Sequence, residues 1–421
     1  MTIPLTVATF TTRTLHGAQI QDRLCTIPST GSDVWPLAIV AVLVTMGLAL
    51  VILARRSPRR LSVLVAPLLL ASVLQTGPAP REASETCPEP TTTSTSSTTT
   101  SSTTTTIAPS CASGTVIVGD SPREIRISPD GSTLYVINAL SNTISVIRTS
   151  DLTVTGTIPA GSGPRELAVS RDGTRLAVAL STSALIINTA TNSILNTISV
   201  GLNPESVAYG ADGTRLYVAN DNLYNSSNPS LPQDDTVSVI DTTTSTVINT
   251  ITLGANTQPS YLTTNPDGSR LYVANYGPVV TSPSVSVVDT SNNSIVTTVT
   301  HSSFNLPESF AFSPDGTRVY VANRGGDSVS VITTNNNTVA TSIPVADSPQ
   351  SLVANASGTR LYVPNSGIQG NSSISIIDTV GNTVTGSITA TASPRGIAIH
   401  PSGDSVFVTL PNSDKVERLC L

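Results

Sequence analysis

From Phe312 to Ile332 the chain reads Phe-Ser-Pro-Asp-Gly-Thr-Arg-Val-Tyr-Val-Ala-Asn-Arg-Gly-Gly-Asp-Ser-Val-Ser-Val-Ile, and everything after residue 110 is a variation on that line. Asp and Gly supply the backbone torsions of a tight turn, and the flanking runs alternate β-branched or aromatic residues with small polar ones at the period of a strand. The turn returns at Asp130-Gly131, Asp172-Gly173, Asp212-Gly213, Asp267-Gly268, Asp315-Gly316, Ser357-Gly358 and Ser402-Gly403, so successive glycines lie 42, 40, 55, 48, 42 and 45 residues apart. A unit of roughly 40–45 residues with four strands is the repeat of a β-propeller blade. Seven turns predict an all-β fold, a seven-bladed β-propeller of four-stranded antiparallel blades over residues 111–421.

The second strand of the repeat reads Leu134-Tyr-Val-Ile-Asn138, Leu216-Tyr-Val-Ala-Asn220, Leu271-Tyr-Val-Ala-Asn275, Val319-Tyr-Val-Ala-Asn323 and Leu361-Tyr-Val-Pro-Asn365, and the third reads like Val237-Ser-Val-Ile-Asp241. These residues resemble the YVTN family of bacterial and archaeal propellers, many of them cell-surface proteins, and the resemblance implies a place at the cell surface. Blade two departs with Leu176-Ala-Val-Ala-Leu180 and blade seven with Val406-Phe-Val-Thr-Leu410. Size and alternation survive both departures, so the recurrent Tyr and Asn read as structural preferences.

Each repeat ends in a fourth, outer strand, such as Val247–Leu253 or Val339–Val345, but the seventh stops at Leu421 with its third, Val416–Leu421. Thr115-Val-Ile-Val-Gly119 precedes Asp120-Ser-Pro122 as Ile343-Pro-Val345 precedes Asp347-Ser-Pro349, so the first strand is expected to complete the last blade. Aligned on blade five, Cys420 takes the place of Thr333 and Cys111 that of Thr338, which face each other across a turn. A disulfide between Cys111 and Cys420 is then expected, provided the compartment is oxidising. Closing so long a loop stabilises by up to ~5 kcal/mol in the chain-entropy model.

Ahead of the repeats, residues 1–34 are polar and irregular and include Cys25, which could pair with Cys87. Residues 35–80 read as a membrane anchor. Trp35–Ala54 is an apolar run of 20 residues, enough to cross about 30 Å of hydrocarbon. The arginines of segment 55–60 mark a cytoplasmic loop. Leu61–Leu74 is either a second membrane segment or the apolar region of a cleaved signal, and both readings export the stalk and the propeller. Residues 81–110 hold an unbroken Ser/Thr tract, Thr91–Thr106, expected to be a disordered extracellular stalk.

The net charge of −6 divides into seven Arg against five acids in residues 1–110, and 14 basic against 22 acidic residues beyond. So acidic a propeller has no general attraction for phosphate backbones, which argues against nucleic acid as a partner. In a meander that starts at the channel, the loops entering the first strand share a face with those joining the second and third. The long insertions Asp221–Asp235, Tyr276–Pro283 and Ser366–Ser373 all fall there. After each proline of the entering loops stands one residue of a ring, Arg123, Arg165, Glu205, Ser260, Glu308, Gln350 and Arg395. Arg395, Arg123 and Arg165 are consecutive once the ring closes, with Glu205 and Glu308 expected across the mouth. Three guanidinium groups can hold a carboxylate or phosphate; alternatively each pairs with a nearby acid such as Glu124 or Glu166. The turn arginines Arg175, Arg215, Arg270, Arg318 and Arg360 read as packing between blades.

No catalytic constellation, metal site or cofactor motif emerges from the sequence. His16, His301 and His400 are spread over separate segments, and Asp221, Asp234 and Asp235 read as a solvated loop, with Ca²⁺ as the other option. The expected function is a membrane-tethered extracellular module for non-enzymatic binding or adhesion, whose partner is a protein, glycan or small anion. The alternatives are a propeller enzyme of the lactonase, lyase or dehydrogenase type, and a structural protein of the cell envelope.

Overall fold

The computed structural model describes residues 111–221, 234–277, 283–367 and 372–421. The expected N-terminal segment, membrane anchor and stalk, with Cys25, Cys87 and His16, lie outside the described residues, as do the middles of the three long insertions. The rest forms seven four-stranded antiparallel sheets, six of them built from four strands consecutive in the chain. The seventh runs from the outside inward as Gly114–Ile117, Lys415–Cys420, Ser405–Leu410 and Ile397–Ile399. Val116 pairs with Val416, so the N-terminal strand completes the last blade.

Beside this pair Cys111 and Cys420 are joined by a disulfide, with Cα atoms 5.8 Å apart. The bond stands where the other six blades turn from third to fourth strand through a left-handed residue, Leu152, Asn192, Ser245, Asn293, Asn337 or Asn382.

The innermost strands are Pro122–Ile127, Glu166–Val169, Pro204–Tyr209, Pro259–Thr264, Pro307–Phe312, Val353–Ala354 and Ile397–Ile399. Each touches the next, and the last touches the first, so the ring is closed. Hydrophobic cores form between blades. Ile137 of blade one packs with Leu176 and Leu185 of blade two, and Val136 of blade one with Phe407 and Val416 of blade seven. A second strand is therefore covered on both faces, and its run Leu216, Tyr217, Val218, Ala219 is wholly buried. This is why the second strands read as continuous apolar stretches and the solvent-facing outer strands as Thr and Ser with one inward Ile or Val.

Two local devices recur. The seven turn glycines all have φ between 68° and 77°, where a Cβ costs roughly 1–2 kcal/mol. In five of these turns the preceding Asp accepts a hydrogen bond from the amide two residues on, as Asp315 does from Thr317 at 3.0 Å. The second device joins strands two and three. The buried Asn323 amide donates to Ser328 at 3.3 Å and Ser330 at 2.8 Å, and Asn138, Asn220, Asn275 and Asn365 repeat the pattern. The signature Asn and the Ser-x-Ser of the next strand thus form one clamp. In those five blades it fixes the corner from which the loop leaves for the mouth. Backbone bonds such as Ala139 N to Ser121 O and Arg324 N to Leu306 O, both 3.0 Å, tie these loops to the segments entering the innermost strands.

Arg175 and Arg318 bridge to the next blade, donating to the carbonyls of Thr242 at 2.9 Å and Thr379 at 2.8 Å. Arg270 departs from the packing expected of it and pairs with Asp289 of its own blade at 2.8 Å, because the two are direct cross-strand neighbours.

Candidate functional site

In six blades the residue before the proline is left-handed: Ser121, Gly163, Asn203, Gln258, Leu306 and Ser348. That kink turns the chain sharply into the channel and leaves the following residue at the mouth. Arg123, Arg165 and Arg395 come together there. The pKa of Arg123 is lowered by burial and then by the like charges of Arg395 and Arg165. Arg165 is ion-paired with Glu205. Arg395 lies 3.7 Å from one oxygen of Glu308, and Nε of Arg324 lies 3.2 Å from the other without the alignment of a hydrogen bond. Arg324 also stacks over the Tyr276 ring at 5.8 Å. Arg123 makes no side-chain ion pair or hydrogen bond among the described residues; its surface is open to solvent although about half of its surroundings are protein.

This corrects two expectations. Glu205 stands beside Arg165, not across the mouth, since blades two and three are adjacent and both residues follow the proline. Glu124 and Glu166 serve neither Arg123 nor Arg165. The strand register shifts between Pro122 and Ile125, a bulge that separates the mouth residue from the alternation beginning at Glu124.

Glu124 and Glu166 meet Arg126, which donates to Glu124 at 3.1 Å, Glu166 at 2.5 Å and the Tyr261 hydroxyl at 3.0 Å. Blade four stands three places from blade one in a ring of seven, so the bond from Arg126 to Tyr261 crosses the channel. Burial pushes Glu166 well above the ordinary carboxylate range despite Arg126, and it pushes the Tyr261 phenol up to about 12. Arg126 is held protonated, because Glu166, Tyr261 and Glu124 together outweigh the effect of its own burial. This polar plug divides the mouth from cavities of about 340 and 280 Å³ beyond it, lined by apolar side chains such as Ile127, Phe312, Val353 and Leu167.

At the edge of the mouth Asp221 is buried, and one of its carboxylate oxygens has no hydrogen-bond partner. Burial raises its pKa to about 7, with Asp235 and Glu205 adding to the rise and Arg165 opposing it. Asp235 is also buried and accepts from Thr257 Oγ1 at 3.1 Å and the Gln258 amide at 2.8 Å. Asp221 and Asp235, expected in a solvated loop, are therefore buried carboxyls, the second because the strand after the insertion starts at Asp234 and carries Asp235 inward; the loop between them lies outside the described residues. Among the described residues no three His, Cys, Asp or Glu side chains gather closely enough to hold a metal. His301 bonds Ser303, and His400 bonds Ser402 beside its own turn. Ser260 and Gln350 are engaged with the Pro307 carbonyl at 2.7 Å and Ser366 at 2.6 Å.

Sequence reasoning missed Arg126, Tyr261 and Arg324. A signal was present for the first. At its position in the innermost strand the other blades carry Ala168, Ala208, Thr263, Ala311, Val353 and Ala398, and a single Arg in such a series is conspicuous.

Residues 89–194 match the family described as Lactonase, 7-bladed beta-propeller, a quarter of the chain that includes Arg123, Arg126, Arg165 and Glu166. No curated protein matches the chain. Among solved structures, hydrazine synthase of Kuenenia stuttgartiensis is similar, with a TM-score of 0.63 and 20% identity over 72% of this chain and 96% of that one. At that identity the likeness speaks for the fold. Chemically, the mouth offers four guanidinium groups against Glu205, Glu308 and Asp221, whose pKa burial raises, a surface suited to a ligand bearing negative charge.

Proposed function

We propose that the propeller is a binding module that holds the carboxylate or phosphate of a ligand at its mouth, presented outside the cell on the anchor and stalk read from residues 35–110. The observation that carries this reading is Arg123. It is an exposed guanidinium between two others, and its neighbours' acids are committed elsewhere, Glu205 to Arg165 and Glu308 to Arg395 and Arg324. The clamped strand ends hold the rim of the site, and the Arg126 plug lies beneath it. Charge-assisted bonds to Arg123 supply the affinity, and Arg165 and Arg395 are released to the ligand as their acids are displaced. The adhesion role follows if the bound group is carried by a glycan or a protein.

The test is an array of glycans, acidic metabolites and peptides probed with the full chain and with Arg123→Ala. Loss of roughly 1.5–3 kcal/mol is expected for a hydrogen bond to a charged group, together with binding that weakens as salt rises. Equal binding by the two proteins removes the site.

A second reading, hydrolysis of a lactone, is favoured by the family match over residues 89–194. It gains a candidate base in Asp221, whose raised pKa places it near the working range of general base catalysis. In that reaction Asp221 takes a proton from water as the hydroxide oxygen bonds to the lactone carbonyl carbon, and the ring C–O bond then breaks with that proton passed from Asp221 to the departing ring oxygen, which gives a hydroxy acid and returns the carboxylate. Release of acid from a panel of lactones, governed by a group titrating near neutrality and lost in Asp221→Asn, supports it. Anion binding without turnover of any lactone leaves the binding module.

A further inference from the structure

The face opposite the mouth carries the seven Asp-Gly-type turns, and the repeat packs them against one another by a fixed rule. In five of the seven, the residue before the Asp or Ser of one turn leans on the turn glycine of the next blade. The residue at that position is Pro129, Pro266, Pro314 or Pro401 in four blades and Ala211 or Ala356 in two others. The fit is close: a Cβ added at Gly173 would meet Pro129 at 3.1 Å, and one added at Gly131 would meet Pro401 at 2.9 Å. Blade two alone has a charged residue there, Arg171, and around the facing Gly213 there is nothing within 4 Å. Gly403 is similarly open, but Ala356 faces it and brings no donor.

The space so vacated is a cleft of about 570 Å³ between the turns of blades two and three, lined among others by Arg171, Arg175, Tyr209 and Thr243. That volume lies within the usual range of small-molecule sites, roughly 300–1,000 Å³. Tyr209 is more than nine-tenths buried, and its hydroxyl has no hydrogen-bond partner. Burial pushes its phenol upward, Arg175 opposes this and Asp172 adds to it, which puts the hydroxyl beside the cleft's charged groups. No other blade has a tyrosine at that place, where Ile127, Val169, Thr264, Phe312, Ala354 and Ile399 stand.

The two acids of the cleft are spent on their own turns. Asp172 accepts from Ser170 at 2.6 Å and from the Thr174 amide and hydroxyl at 3.0 and 2.9 Å, and Asp212 accepts from the Thr214 amide and hydroxyl at 3.0 and 2.8 Å. Arg175 uses one nitrogen on the Thr242 carbonyl. Arg171 has no partner among the described residues, and it is exposed. The polar groups left over are donors: the Arg171 guanidinium, the remaining nitrogens of Arg175 and the Tyr209 hydroxyl. A buried, unpaired donor is costly, and an oxyanion is the partner that guanidinium and hydroxyl donors favour.

We infer that this cleft is a second ligand site, separate from the mouth, for a small molecule bearing a phosphate or carboxylate, held by Arg171 and Arg175 and oriented by Tyr209. The same three-residue boundary, Arg171, Tyr209 and Ala211, also lines the cavity on the far side of the channel plug, so an occupant reaches the wall of the channel from below.

The test uses the full chain carrying Arg123→Ala, which silences the free guanidinium of the mouth, titrated calorimetrically with inorganic phosphate and separately with citrate at low ionic strength. Saturable binding of one or both is expected, and the preferred probe tells phosphate from carboxylate recognition. Adding Arg171→Pro restores the residue that four other blades carry at this turn and fills the space over Gly213. It is expected to keep the thermal transition and to weaken binding by about tenfold or more, the worth of one charge-assisted hydrogen bond. Tyr209→Phe, which removes only the hydroxyl, is expected to weaken it by a factor of about five. Equal binding with and without Arg171→Pro, or no saturable heat with either anion at millimolar concentration, overturns the inference.

Discussion

Replacing Asp221 by Asn should change the pH dependence of stability in a way no neighbouring residue can imitate. The folded carboxyl keeps its proton up to about 7, while an unfolded aspartate releases it near 3.8. The native chain therefore binds more protons than the unfolded chain throughout that interval, and the stability associated with this group falls as pH rises from about 4 to about 7. A displacement of about three pH units, at about 1.4 kcal/mol apiece, sets a ceiling of about 4 kcal/mol on the penalty at pH 8. Asn keeps the shape and has no proton to lose. The variant should match the parent near pH 4 and exceed it by about 2–4 kcal/mol at pH 8. Urea unfolding of the disulfide-intact chain at several pH values measures this directly. Glu166 and Glu308 are also pushed upward by burial, but both proteins contain them, so their contributions cancel in the difference. Parallel stability curves for the two proteins would refute the argument, since they would mean that Asp221 ionises in the folded chain as easily as in the unfolded one.

Two more outcomes are expected from the closure and the plug. Cys420→Ser should destabilise by about 2–5 kcal/mol in denaturant melts under non-reducing conditions and have no effect once the parent is reduced. Arg126→Met takes from Glu124, Glu166 and Tyr261 the donor they share and should cost about 1–3 kcal/mol; Glu166→Gln in the same chain should recover part of that, and additive costs in the double-mutant cycle would contradict the shared contact.

The ring was legible because its information is periodic. Turn spacing counts the blades, the missing outer strand names its replacement, and superposing two strand ends on blade five pairs Cys111 with Cys420. The adjacency of Arg395, Arg123 and Arg165 was legible for the same reason, as it needs only blade order. What the sequence hid depends on reach across the ring. Arg126 and Tyr261 are 135 residues apart and occupy different positions of their repeats, so no alignment brings them together; only the narrowness of a seven-membered channel does. Asp221 and Asp235 flank an insertion, and inspection of the chain gives no sign that its two ends return to the same buried corner. Arg171 was visible as a break in a proline series, but its meaning lies in the gap it leaves at Gly213.

The sheet that closes the ring pairs residues about three hundred positions apart, so its outer strand waits for a partner made much later. Until Lys415–Cys420 is available, Gly114–Ile117 has no neighbour to pair with and the face of blade one that covers Phe407 stands open. A nascent or truncated chain lacking only that final segment would hold six finished blades in an unclosed arc, with a bare flank at either end for other chains to stick to. The pairing of these two distant segments thus decides whether the ring closes or leaves sheet edges bare.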